Sequence, residues 1–98
     1  MERNRYIKAQ IEAQVCSSLA EINSNFTVII DKYNNQDGSF ESQTTKRLLK
    51  NLSSLLGDLE QVCLHSDIKV YTIDYLKEQI NSALNNISKQ RNISIGGE

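Results

Sequence analysis

Residues 15–33 read VCSSLAEINSNFTVIIDKY, and the apolar positions Val15, Leu19, Ile22, Phe26, Ile29 and Tyr33 are separated by steps of 4, 3, 4, 3 and 4. That alternation is the seam of a helix packed lengthwise against another helix. Ile7 and Ile11 carry the stripe toward the N-terminus, so the spacing predicts a helix over about residues 3–34. Thr27, Val28, Ile29 and Ile30 form a β-branched run that is locally weak for helix. The stripe passes through it without changing phase, and the helical reading stands.

Working outward, Asn34 to Ser39 is a polar break that carries an Asp37-Gly38 turn signal. A second helix is predicted over about residues 41–65, where Thr45, Leu48, Leu52, Leu55, Leu59 and Val62 step by 3, 4, 3, 4 and 3. Leu49, Leu56 and Cys63 widen this stripe into a broad apolar face. Gly57 lies inside it, at a cost of about 1 kcal/mol relative to alanine; it reads either as tolerated or as a point of close backbone approach. His65, the only histidine, sits where it can interact with the last carbonyls of that helix. Asp67 to Tyr71 reads as an extended connection, with Thr72 as an N-cap and Asp74 in the first turn beyond it. Ile73, Leu76, Ile80, Ala83, Leu84 and Ile87 predict a third helix over about residues 73–90, and residues 91–98 read as a flexible tail. The chain contains no proline, so nothing interrupts these segments. One all-α domain over residues 1–98 is expected: a long antiparallel helical hairpin with a shorter third helix.

The lengths have a consequence. A helix of about 32 residues runs about 48 Å, longer than the roughly 34 Å diameter of a compact sphere of 98 residues. The second helix covers only part of it, and the third is shorter still. Leucines on both sides of the second helix therefore call for a further surface, and a heterologous bundle with a partner supplies one.

Composition removes several function classes. A formal net charge of −1 gives no electrostatic footprint for nucleic acid. Arg3, Arg5 and Lys8, and Lys46, Arg47 and Lys50, read as solvated helix faces or as docking patches for an acidic partner. No apolar run is long enough to span a membrane, and the polar start from Glu2 to Arg5 lacks a signal-peptide core, which predicts an intracellular protein. Cys16 and Cys63 fit neither a disulfide framework nor a metal site and read as small buried thiols. A single histidine without an orienting acid, no glycine-rich phosphate loop, and only Asp74 and Glu78 as a carboxylate pair argue against an enzyme. No cofactor, metal or small-molecule ligand is expected.

Against this background Leu19-Ala20-Glu21-Ile22, Asn25-Phe26-Thr27 with Ile29-Ile30, and Asp37-Gly38-Ser39-Phe40 resemble subunit 22 of the transcriptional Mediator complex. Leu55-Leu56-Gly57-Asp58-Leu59-Glu60-Gln61 is similar to a Leu-x-x-Asp-Leu-Lys-Gln region near the end of that family's second helix. Ile11 to Ser17 also resembles subunit 11, the usual partner in the family. The resemblance covers about residues 19–67. It implies a non-catalytic coactivator subunit of the Mediator head module, located in the nucleus and hetero-oligomeric. Such a subunit would pair with subunit 11, contact subunit 17 and bridge regulators to RNA polymerase II. The partner-binding residues it implies are Leu19, Ile22, Phe26 and Ile29 in the first helix, with Leu52, Leu55, Leu59 and Val62 in the second. Two other classes share the helical pattern, a bacterial immunity protein and a secretion chaperone, and both act by binding another protein.

Overall fold

The computed structural model describes the backbone of residues 2–96 and the side-chain surroundings of residues 5–89. It contains three helices, α1 (Glu2–Asn34), α2 (Ser42–Ser66) and α3 (Tyr71–Gly96), and the described residues form no strand. The all-α hairpin with a third helix is therefore the observed fold. A Cα radius of gyration of 16.8 Å exceeds the roughly 13 Å of a compact globule this long. The principal extents are 65 × 20 × 15 Å, those of a rod. α2 is the central strut: it packs along both α1 and α3, which touch each other much less.

The helix ends show why the chain turns where it does. At the end of α1, Gln36 takes the left-handed conformation with φ 58°. Its N–H donates to the Tyr33 carbonyl at 3.1 Å, and the Asp37 N–H donates to that of Lys32 at 3.1 Å. This is the paired 5→2 and 6→1 bonding of a Schellman motif. α2 ends the same way: Asp67 has φ 55°, its N–H reaches the Leu64 carbonyl, and the Ile68 N–H reaches that of Cys63 at 2.9 Å. Ile68 then folds onto the core beside Cys63, the apolar contact that accompanies this motif. Neither left-handed position carries glycine. The predicted Asp-Gly turn exists one step later, where the Phe40 N–H donates to the Asp37 carbonyl at 2.8 Å. The Ser39 N–H is held by Asp37 Oδ1 at 2.9 Å.

Phe40 anchors the start of α2. Its ring packs against the core, and its carbonyl accepts from Thr45 Oγ1 at 3.2 Å. That bond satisfies the hydroxyl of the one buried polar residue among the described side chains. Glu41, at the N-cap, makes no side-chain capping bond.

Four expectations are corrected. α3 continues through residues 91–96, which the sequence reading assigned to a tail, while 97–98 lie outside the described residues. Thr72 is inside α3 rather than capping it, because the helix starts at Tyr71. The connection from Asp67 ends at Val70 and not at Tyr71, because Tyr71 already belongs to α3. Finally, α3 has 26 residues against 25 in α2, so it is not too short to run the length of the strut.

The core shows which flank α3 covers. On α2 the buried line is Thr45, Leu49, Leu52, Leu56 and Cys63. It lies one residue round the helix from the predicted Leu48, Leu55 and Val62. From α3 come Ile73, Leu76, Ile80 and Ile87; from α1, Val15, Leu19, Ile22 and Ile29. Lys77 of α3 reaches Glu60 of α2 at 3.1 Å and fixes α3 on the Leu49/Leu56 side. Both side chains are more than one-third exposed, so that ion pair sets position more than it adds stability.

Gly57 has nothing within 4 Å of where a Cβ would stand, which removes close backbone approach as its explanation. Gly57→Ala is expected to raise stability by about 0.5–1 kcal/mol, measured by urea unfolding. Leu56→Ala, at a fully buried position, is expected to cost about 2–5 kcal/mol in the same assay.

Candidate partner-binding groove

Covering α2 with α3 on one flank leaves the other flank open where α1 and α2 run side by side. Leu55 and Val62 are 49% and 41% exposed there, although both belong to the apolar stripe of α2. Leu59 and Leu48 are half-buried between the two flanks. On the α1 side Ile7 is exposed and Ile11 half-buried, continuing the stripe to where Lys8 meets Asp67 at 3.5 Å.

The open flank is concave in two sections. One, about 620 Å³, is lined by Gln10, Ile11, Gln14, Val15, Leu59 and Val62 among others. The next, about 290 Å³, lies further along α1 between Ser18, Glu21, Ile22 and Asn25 and the α2 residues Leu55, Asp58 and Leu59. Both are shallow, apolar-floored troughs between parallel ridges, the shape that receives the apolar face of another helix. A larger hollow of about 710 Å³ sits inside the α1–α2 turn, lined by Tyr33, Asn34, Gln36, Phe40 and Gln43 among others. It is the interior of the loop. Asp37 there is engaged by Lys32 at 3.7 Å and by the Ser39 N–H.

The eight residues implied as partner-binding divide into three groups. Leu19, Ile22, Ile29 and Leu52 are buried in the chain's own core. Phe26 and Leu59 are half-buried and pack against that core. Leu55 and Val62 face solvent from the groove. Periodicity could locate the stripe but could not say which part of it the third helix covers. Ile11 and Gln14, which complete the opposite ridge, carry a weaker signal because the seam of α1 becomes regular only from Val15.

Cysteine behaviour also departs from expectation. Cys63 is buried as predicted, but Cys16 is exposed. Burial pushes the Cys63 thiol above its ordinary range, and the negative charges available to Cys16, Glu12 and Glu60 push it in the same direction. Among the described residues no group of three or more His, Cys, Asp or Glu side chains is placed to hold a metal ion. No described helix is long and apolar enough to cross a membrane.

Thiol labelling of the folded chain at neutral pH should therefore be biphasic, with Cys16 modified first and Cys63 reacting only as the bundle opens. The sign of the Cys63 shift adds a pH effect. Folding favours its neutral form, so the bundle should lose stability as pH rises above about 8.5 and the unfolded thiol ionises first. Equal labelling rates, or a Cys63→Ala variant with an unchanged alkaline profile, would contradict this assignment.

Compared with models of protein families, with characterised proteins and with solved structures, the chain matches none.

Proposed function

We propose that this chain is a non-catalytic helical subunit that acts by seating a partner protein's helix in the open α1–α2 groove. The observation that carries the reading is the exposure of Leu55 and Val62, 49% and 41%, at the apolar groove beside Leu59 and Ile11. Apolar surface of this kind, aligned along two parallel helices, is stabilised when a further helix removes it from water. The assembly proposed is the one the sequence resembles, the Mediator head module. Its subunit 11 would supply the helices opposite α1 and α2, with subunit 17 as a further contact and the nucleus as the site of action. In that setting the chain's work is architectural, holding a bundle together so that regulators and RNA polymerase II are bridged.

A second reading has its own observation. Among the described residues 12 buried apolar side chains draw on all three helices of this one chain. That favours a self-standing helical module such as a bacterial immunity protein or secretion chaperone, which meets its partner as a folded unit. The two readings part on the isolated chain. A sharp melt with equal calorimetric and van't Hoff enthalpies, independent of concentration, supports the self-standing module. A broad or concentration-dependent melt supports a subunit of an obligate bundle.

The groove itself is tested by Leu55→Asp combined with Val62→Asp. Both side chains already face solvent in the free chain, so helicity by circular dichroism should be preserved. Co-purification with Mediator subunits 11 and 17 should fall by about 100-fold, the equivalent of roughly 2–4 kcal/mol of lost apolar burial. Undiminished co-purification of the double variant would remove the groove from the interface.

A further inference from the structure

The groove is apolar along its floor and, in its second section, acidic on both rims. Glu21 on α1 and Asp58 on α2 both line the second section, beside Ile22, Leu55 and Leu59. Both are exposed. The ion pairs among the described residues are Lys8–Asp67, Lys32–Asp37 and Lys77–Glu60, so neither Glu21 nor Asp58 has a cationic partner among those residues. Among the described residues no lysine or arginine lines either section of the groove.

Spacing adds to this. The first section spans Gln10 to Ser18 on α1 and the second Ser18 to Asn25. Their centres are thus about seven residues apart, about two helical turns or 10 Å. A helix lying in the trough would place side chains at positions i and i+7 in the two sections. Its residues flanking the second anchor would then come against the two acidic rims.

Resting on the reading that the groove seats a partner helix, we infer that the occupant is a basic amphipathic helix. It has apolar anchors seven residues apart and Lys or Arg on both sides of the anchor that sits between Glu21 and Asp58. Electrostatic complementarity of this kind sets register and excludes acidic competitors more than it adds affinity. With apolar anchors alone, an occupant could slide by one heptad; the charges fix which anchor meets which section.

The test uses the whole chain and two synthetic helical peptides. They share leucine anchors seven residues apart and differ only in their flanking residues, lysine in one and glutamate in the other. Fluorescence anisotropy titrations at low salt should favour the lysine peptide by about tenfold, the size expected of two rim ion pairs exchanged for repulsions. The preference should shrink at high salt. Glu21→Lys with Asp58→Lys should reverse it, while Leu55→Asp with Val62→Asp should abolish binding of both peptides. Equal binding of the two peptides, no binding of either, or a preference unchanged in the charge-reversed chain would overturn the inference. So would self-association of the free chain that Leu55→Asp with Val62→Asp abolishes, because the occupant would then be a second copy. Placing both double variants in the Mediator co-purification separates the two levels. Loss with Leu55→Asp and Val62→Asp but none with Glu21→Lys and Asp58→Lys keeps the groove and rejects the basic occupant. Loss with neither rejects both.

Discussion

Everything in this structure follows from the width of the apolar stripe on α2. Leu49 and Leu56 mark one edge, Leu55 and Val62 the other, and at 100° per residue the stripe covers roughly 140° of the helix. One neighbouring helix covers a narrower arc than that. α1 runs beside the middle, where Leu59 meets it, and α3 lies on the other edge, where Cys63 and Ile73 share a hollow and Lys77 reaches Glu60. The edge at Leu55 and Val62 is left over. The length of α1 and the course of α3 beside α2 are ways of covering this stripe, and the open groove is the part they do not reach.

The turns work within the same constraint. Each hairpin must reverse the chain quickly enough for the next helix to meet α2 in register. Both reversals use a Schellman motif with a residue other than glycine in the left-handed position, Gln36 and Asp67. Such residues adopt that conformation at some cost. The satisfied carbonyls and the packing of Ile68 and Phe40 offset it.

Much of this was legible in the sequence. The 4-3 spacing from Val15 to Tyr33 and from Thr45 to Val62 located α1 and α2 to within one residue at each end, because long periodic stripes without proline have one reading. The start of α3 was displaced because Thr72 has the chemistry of a cap, while the Schellman turn at Asp67 and Ile68 delivers the chain into the helix before it. A Schellman motif without glycine leaves no mark in composition. Its C-terminal end was displaced because residues 91–96 are mostly polar and carry little periodicity. For the candidate site, the stripe could be read but not its partition. Side chains one residue apart, Leu55 and Leu56 or Val62 and Cys63, are equivalent in a hydropathy pattern. Only the placement of α3, held at Lys77 and Glu60, makes one of each pair core and the other surface. Cys16 was misread for a similar reason, since it adjoins the buried Val15 but points off the seam.

On α2 one edge is closed by α3 and the other is open, and the proposed partner helix would lie on the open one. Single cysteines at positions 55 and 62, in a chain with Cys16 and Cys63 replaced by alanine, test it most directly. Labelling rates are compared in the free chain and in the assembly purified from the native source. Fast labelling is expected at both positions in the free chain, and protection of both in the assembly. Fast labelling that persists in the assembly would contradict it, as would slow labelling in the free chain.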